Sequence, residues 1–332
     1  FTPKADHTLS TEPVVGSATA TYTGATTKTI TDWEGTIHTV PAGELRWMGA
    51  RRTENLLTYS SEFNNAAWDK NNVTVTANAA IAPDGTMTAD ISIPSLLSAI
   101  HFTRQTATTT TVSHSISIYA KSAGYSKFGI REGNITGAYG TFDLATGVVI
   151  DQGVGGVATI SDEGNGWYRC AISFTAGTSA RGDMYVLDEG YITGSPAGYF
   201  YTGDGTSGIY IWGAQVEAGS APSSYIPTTT AAVTRNADQL SYDTANWYAD
   251  GKAGTMQVDA DLVYGNNLVG LSLSNGTGAE QIVPLTKIGS FIRSSIIDNN
   301  VSQTSYVGVA YSAGAAYRTS LSFGSVSYTH LT

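Results

Sequence analysis

Hydrophobic and polar residues alternate with a period of two along much of this chain, and the segment from Ser113 to Ala120 shows the pattern most clearly. Successive side chains of a strand point to opposite faces, so the alternation separates an apolar face from a polar one. The apolar set is Ile116, Ile118 and Ala120, and the polar set is Ser115, Ser117 and Tyr119. Such a strand is typical of an antiparallel sheet with a core on one side and water on the other, which predicts that Tyr119 is exposed.

Short strands of this kind recur along the chain and are separated by turn dipeptides that contain glycine. The strands include 73–76, 141–144, 157–160, 184–187 and 209–212, and the turns include Asp84-Gly85, Asn165-Gly166 and Asp204-Gly205. Asn-Gly and Asp-Gly suit tight hairpin turns because both residues tolerate a positive φ. Many short strands with such turns predict an all-β chain whose main fold is a jelly-roll-like antiparallel β-sandwich.

The pattern divides the chain into three β-rich regions. Residues 1–54 are Thr-rich and lead into the sandwich, with a predicted hairpin over residues 28–40. Residues 55–228 are predicted to form the main sandwich. The chain leaves it near Pro227, where we predict a linker because proline interrupts strand pairing. Residues 229–324 begin a partial second β-sandwich.

Composition excludes several classes of partner. Charged residues make up 13% of the chain, the net charge is -10, and the 17 Lys and Arg residues are scattered. Nucleic acids and anionic membranes require clustered cations, so we expect neither as a partner. Cys170 is the single cysteine, which rules out an intrachain disulfide and a thiolate metal cluster. It falls on the apolar face of a predicted strand and is expected to fill the core.

Two long motifs bracket the run of strands in the main sandwich. The first covers residues 55–68 and begins Asn-Leu-Leu-Thr-Tyr-Ser, and the second covers residues 209–227 and contains Trp-Gly-Ala-Gln-Val-Glu-Ala-Gly. Thr31-Asp-Trp-Glu-Gly and Gly49-Ala-Arg-Arg-Thr-Glu precede them. In this order the motifs resemble a β-sandwich module of head-fibre and tail-fibre proteins of tailed bacteriophages and prophages, and the resemblance covers about Thr31 to Asp238.

That resemblance implies a structural protein on the virion surface that attaches to host surface polysaccharide. Other virion proteins are its implied partners, and the full-length chain is expected to form a homo-oligomer, in this family commonly a trimer. The second β-region resembles the first half of a concanavalin-like or laminin-G-like sandwich. Ser325–Thr332 resembles translated sequencing-adapter DNA, so we expect residues 325–332 to be a non-native tail on a metagenomic fragment.

Motifs for catalysis are missing from the sequence. It contains no His-Glu-x-x-His, no phosphate-binding loop, no Gly-x-Ser-x-Gly and no Cys-x-x-Cys. A glycosidase needs two carboxyl groups across one sugar bond, and the pairs close in sequence are Asp32 with Glu34, Asp162 with Glu163 and Asp188 with Glu189. Asp188 and Glu189 are adjacent on a strand and point to opposite faces, and Asp162-Glu163 is interpreted as part of a solvated hairpin, so no hydrolytic pair is expected. Glu217 is interpreted as a structural hydrogen-bonding residue. We therefore expect no enzyme, no metal site and no cofactor, although Asp-Gly turns leave Ca²⁺ open.

Sugar binding requires flat aromatic rings beside polar side chains that bond to hydroxyl groups. Five residues fit this requirement if they share one sheet face: Tyr119, Tyr125, Arg131, Glu132 and Tyr139. A second possibility is the Tyr199-Phe-Tyr201 segment with Asp204, together with Tyr210 beside Trp212. Trp68, Trp167 and Trp212 are assigned to the core instead, because large rings fill sandwich interiors.

These observations favour a non-catalytic glycan-binding adhesion module. Two alternatives stay open at this point. The sandwiches are spacers in a fibre or a capsid-decorating segment, or the chain is part of a polysaccharide depolymerase whose catalytic part is missing. An aromatic cluster exposed on one sheet face favours binding, and convergent carboxylates in a groove favour hydrolysis.

Overall fold

The structure is a computed structural model that describes residues 20–32, 36–44, 52–135 and 137–242. Between residues 254 and 323 it describes the backbone of six further strands, and side chains are described up to residue 238. The described residues form strands, turns and one single-turn 3-10 helix, Pro196–Gly198, and they contain no α-helix. The predicted all-β fold is confirmed.

The described strands fall into two compact units, the first ending at Ser241 and the second continuing from Tyr242. The strands of the first unit are β1 (Ala20–Thr23), β2 (Lys28–Thr31), β3 (Ile37–Val40), β4 (Thr53–Asn55), β5 (Asp69–Asn71), β6 (Val73–Ala80), β7 (Ala89–Pro94), β8 (Ser98–Ala99), β9 (Phe102–Thr108), β10 (Ser113–Ala123), β11 (Lys127–Glu132), β12 (Tyr139–Asp143), β13 (Val148–Gln152), β14 (Val157–Asp162), β15 (Tyr168–Thr175), β16 (Ser179–Leu187), β17 (Tyr201–Thr202), β18 (Gly208–Ala218), β19 (Val233–Arg235) and β20 (Gln239–Tyr242).

Two six-stranded antiparallel sheets form a β-sandwich in this unit. Sheet 1 has the strand order β14-β15-β10-β18-β7-β6, and sheet 2 has the order β13-β12-β11-β16-β9-β5. The chain crosses repeatedly from one sheet to the other, for example between β10 and β11, between β13 and β14, and between β15 and β16. Such crossings are the connectivity of Greek-key and jelly-roll sandwiches, so the predicted β-sandwich is confirmed.

The main core lies between the inner faces of the two sheets. Ile116 and Ile118 of β10 pack in one cluster with Phe128 and Ile130 of β11, and all four are fully buried. Cys170 lies in the same cluster, as predicted, and burial raises the pKa of its thiol well above the ordinary value. A neutral thiol in an apolar core is chemically inert.

Sheet 1 is covered on its outer face as well, by a second apolar layer. This layer consists of Ile37, Ala82, Ala89, Tyr119, Trp167, Trp212 and Tyr225. Ile37 comes from the predicted N-terminal hairpin, which is confirmed as β2 paired with β3, and Tyr225 comes from the segment predicted to be a linker. Chain from both ends of the unit therefore packs on sheet 1. The prediction that the polar face of β10 meets water is wrong, since Ser115 and Ser117 are also buried.

A β-bulge in β18 places its side chains for this layer. The register of β10 with β18 shifts between Ser117 and Tyr119, so that Ser117 pairs with Gln215 and Tyr119 pairs with Trp212. Gly213 lies in the bulge with a φ of 64°, and a Cβ atom there would lie 2.9 Å from the Tyr119 ring. The extra residue keeps Trp212 and Gln215 on the same face although they are three positions apart.

Asn55, at the end of β4, ties the two bracketing motifs to each other. Its Nδ2 donates to the carbonyl oxygens of Ala214 at 3.1 Å and Ile226 at 2.9 Å. Its Oδ1 accepts from the backbone N–H groups of Leu57 and Val216, both at 3.2 Å. One buried amide thus satisfies four backbone groups from three segments, so the motifs at the start and end of the sandwich form one structural junction.

Glu217 belongs to the same junction. Its carboxylate accepts hydrogen bonds from Thr53 Oγ1 at 3.0 Å, Gln215 Nε2 at 2.9 Å and Ser223 Oγ at 2.7 Å. The structural role predicted for Glu217 is confirmed. Beside it, β4 pairs with β19, so the chain enters and leaves the sandwich on adjacent strands.

The second unit is described by its backbone. Its strands are β21 (Gly254–Leu262), β22 (Leu268–Ser274), β23 (Gln281–Ile288), β24 (Phe291–Asp298), β25 (Val301–Ala310) and β26 (Ala315–Phe323). β21 pairs with β26, and the other four form an antiparallel sheet in the order β22-β23-β24-β25. The predicted non-native tail, residues 325–332, lies outside the described residues.

Candidate functional site

Five side chains line up across the outer face of sheet 2, and we call them the cross-strand row. They are Tyr139 of β12, Arg131 of β11, Asp183 of β16, Arg104 of β9 and Asp69 of β5. Directly opposed residues on neighbouring strands project to the same face of a sheet. With strands about 4.8 Å apart, the row is about 19 Å long. It is long enough to contact several units of a chain-like ligand.

Asp183 is the buried centre of the row, with 1% of its surface exposed. Arg181 donates to it from Nε at 3.0 Å and from Nη2 at 3.2 Å, and Arg131 donates from Nη1 at 3.4 Å. The Tyr185 hydroxyl lies 3.4 Å from the same carboxylate. A buried carboxylate is stable only with such partners. Asp183 therefore fixes two guanidinium groups on the sheet face.

The Tyr185 hydroxyl remains a neutral donor beside these charges. Burial, with the charge of Asp183 as a second contribution, raises the pKa of Tyr185 to about 12. At neutral pH the phenol therefore keeps its proton.

Arg104 is held at the other side of Asp183 by a different carboxylate. Its Nε and Nη2 donate to Oδ2 of Asp69 at 2.8 Å and 2.6 Å. The guanidinium also lies over the ring of Phe102, 5.2 Å from the ring centroid. Asp69 is largely exposed, so the ion pair is weak in energy, but together with the ring it orients Arg104 on the surface.

Tyr139 closes the opposite end of the row. Its hydroxyl donates to Oδ2 of Asp151 at 3.2 Å, and the same oxygen accepts from Thr193 Oγ1 and the Gly194 N–H, each at 2.8 Å. The Gly194 hydrogen bond is the main reason that the pKa of Asp151 is lowered. Asp151 thus attaches the loop of residues 188–200 to the sheet beside a half-buried aromatic ring.

A second aromatic group lies at the end of the sandwich, where Tyr125 and residues 199–201 meet. The rings of Tyr125 and Tyr201 are 6.0 Å apart, and those of Tyr199 and Tyr201 are 5.6 Å apart. Tyr199 donates to Oδ1 of Asp188 at 2.6 Å, and the Asp204 N–H donates to the Tyr125 hydroxyl at 3.3 Å. The hydroxyl groups of Tyr199 and Tyr125 are therefore engaged within the protein.

The structure brings together two of the five candidate residues, Arg131 and Tyr139, which are directly opposed in β11 and β12. Tyr125 lies at the end of the sandwich, in the second aromatic group. Glu132 is fully buried, and its carboxylate accepts from the N–H groups of Arg181 at 2.7 Å and Asn134 at 2.9 Å. It supports the backbone near the row and has no surface to offer a ligand.

Tyr119 lies on the other sheet and is 1% exposed. Its ring packs against Trp212 at 5.5 Å and Tyr225 at 6.2 Å, with the Arg169 guanidinium 5.1 Å from the ring centroid. The expectation that Tyr119 faces solvent is wrong, because the alternation identifies a face of the strand but not the segments that later cover it. Trp68, Trp167 and Trp212 are buried as predicted.

Sequence reasoning missed Arg104, Arg181 and Asp183. The tripeptide Arg181-Gly-Asp183 by itself is typical of a tight turn between strands, but it lies within β16. Residues two apart on a strand point to the same face, so this spacing places the arginine beside the aspartate. The apolar stretch Met184–Leu187 that follows was the available signal, since a strand assignment extended by three residues includes the pair.

The described residues contain no group of three or more His, Cys, Asp or Glu side chains placed to hold a metal ion. None of the helical structure described is long and apolar enough to cross a membrane.

Comparison with known proteins gives little beyond this geometry. No protein family matches the chain, and no curated protein matches it. One solved structure that aligns with it is a protein from Bacteroides thetaiotaomicron VPI-5482 that has been proposed to bind sugar. The alignment covers 49% of this chain and 99% of that one, with 8% identity and a TM-score of 0.28. A likeness this weak shows nothing about the function of this chain.

Proposed function

We propose that this chain is a non-catalytic adhesion module of a bacteriophage fibre or spike that binds host surface glycans through the cross-strand row. The supporting observation is the combination of a half-buried ring, Tyr139, with partly exposed guanidinium groups of Arg131 and Arg104 on one sheet face. Aromatic surface covers the C–H face of a sugar, and arginine N–H groups donate to its oxygens.

The fibre context is proposed from the sequence motifs. In the structure, the hydrogen bonds of Asn55 join the two bracketing motifs. In this proposal the module lies on the virion surface, contacts other virion proteins, and belongs to a homo-oligomeric full-length chain. The side-by-side positions of β4 and β19 suit a module placed within a longer fibre.

We propose no enzymatic activity for this site. Asp183 is bound by two arginines and Asp69 by a third. A glycosidase requires a protonated carboxyl group that can reach the leaving oxygen, and a second carboxylate across the sugar from it. Carboxylates that hold arginines in place are suited to positioning instead.

The test is binding of the full chain to an array of bacterial surface polysaccharides. We expect saturable binding that is weakened about tenfold or more by Arg131→Ala and by Tyr139→Ala, which corresponds to one or two lost polar or stacking contacts. Lys121→Ala is the matched control, since it removes a cation from the other sheet, where Lys121 donates to the Asn165 carbonyl. Silence across the array would favour a structural spacer instead.

A further inference from the structure

Arg131 and Arg104 of the row, and Arg181 beside it, have partly exposed side chains, while the carboxylates of Asp183 and Glu132 are buried. Asp183 and Glu132 are buried, whereas the side chains of Arg131, Arg181 and Arg104 are 21%, 29% and 33% exposed. Asp69 is the exposed carboxylate of the row, and Arg104 already binds it through two nitrogens. Asp151, beyond Tyr139, accepts bonds from Tyr139 and the adjoining loop.

Because Asp183 and Glu132 are buried, the guanidinium groups supply this face with hydrogen-bond donors. The carboxylate oxygens of Asp183 and Glu132 are used within the protein. Guanidinium groups carry five N–H donors each and accept nothing. Apart from Asp69, which is 57% exposed and already bound to Arg104, the groups that a ligand meets on this face are donor-rich guanidinium groups, although the chain as a whole carries a net charge of -10.

Among the three arginines, Arg131 has the most unused hydrogen-bonding capacity. Arg181 donates to both oxygens of Asp183 and to the Gly133 carbonyl at 3.2 Å, and Arg104 binds Asp69 through two nitrogens. Arg131 makes one contact to Asp183, at 3.4 Å, and otherwise faces the Tyr185 hydroxyl. Its planar fork can still engage both oxygens of a carboxylate.

We propose that the row selects acidic glycans, and that Arg131 receives the carboxylate of a uronic acid or similar acidic sugar. This inference rests on the proposed glycan-binding function and specifies its ligand class. Tyr139, directly opposed to Arg131 in the sheet, lies where the ring of the same sugar or its neighbour packs. Arginine binds carboxylates in a bidentate geometry that a neutral hydroxyl cannot match.

The experiment compares polymers that differ in the carboxylate alone. Polygalacturonate, alginate and hyaluronate are each titrated into the full chain, next to the same polymer with its carboxyl groups reduced to alcohols, and next to the neutral polysaccharides of the array. We expect at least one acidic polymer to bind about 10- to 100-fold more tightly than its reduced form. Added salt should weaken the acidic ligand more than the neutral one.

Variants of Arg131 test whether this residue causes the preference for acidic polymers. Arg131→Ala should remove the preference for the acidic form, and Arg131→Lys should restore only part of it, because lysine keeps the charge but loses the fork. Asp183 keeps both Arg181 contacts in either variant, and near-UV circular dichroism checks that the fold is retained. Lys121→Ala should leave the preference intact, which separates a local effect from net charge.

Two other results would overturn the inference, and they differ in whether glycan binding itself survives. If acidic and reduced polymers bind equally, or only neutral array glycans bind and Tyr139→Ala weakens them, the acidic-glycan inference is overturned and the glycan-binding function stands. If no polymer binds at all, both proposals are overturned.

Discussion

Replacing Asn55 with alanine is the sharpest test of how this fold is held together. The change removes four hydrogen bonds, two donated to carbonyl oxygens and two accepted from N–H groups, at a residue with 0% exposure. A buried hydrogen bond contributes about 1 kcal/mol net, so the expected loss is about 4 kcal/mol. For a unit of this size that corresponds to a decrease in Tm of about 8–16 °C.

The measurement is thermal unfolding of the full chain, followed by near-UV circular dichroism of the buried tryptophans of the first unit. Asn134→Ala is the matched control, because Asn134 is exposed and its side chain makes one long bond, 3.3 Å, to Ser179 Oγ. Exposed positions of this kind change stability by less than about 0.5 kcal/mol. A loss below about 1 kcal/mol for Asn55→Ala would refute the reasoning, since it would mean that water or relaxed backbone replaces the junction.

Two further changes probe burial and charge. Tyr119→Ala should cost about 3–5 kcal/mol of stability by leaving a cavity between Trp212 and Tyr225, while the protein that remains folded binds glycan unchanged; weaker binding without lost stability would contradict the burial. Bonds from the Ser207 side chain and the Thr206 N–H lower the pKa of Asp204 to about 2. The ionised Asp204 therefore stabilises the fold above about pH 4, and this contribution is lost as the pH falls toward 2. Asp204→Asn should flatten the fall in Tm across that window, and an identical slope in both proteins would count against it.

The structure shows what the two bracketing motifs do together. Asn55 and Glu217 lie more than 150 residues apart in the chain, yet both belong to one buried network at the base of the sandwich. Their side chains have specific partners rather than mere apolar contacts. Both motifs are therefore needed to close the sandwich of this chain, and this need is independent of any ligand.

Most of the strands, the apolar inner faces and the burial of Cys170, Trp68, Trp167 and Trp212 could be predicted from the sequence alone. These features are local, because alternation and turn dipeptides act over a few residues. Sequence also placed Arg131 and Tyr139 among the candidates by residue type. It assigned Tyr119 to the surface, since a strand's second face looks the same in sequence whether water or another segment covers it.

The order of neighbouring strands, and with it the site, could not be predicted from local sequence and depends on the long-range packing of the chain. Arg104, Arg131 and Asp183 come from three strands whose order in sheet 2 is not their order in the chain. Their meeting depends on register, which is set by packing across the whole sandwich. The same packing brings Ile37 and Tyr225 over sheet 1 and buries Tyr119. Local patterns specify the faces of strands, but the long-range arrangement of those faces determines which side chains form a surface.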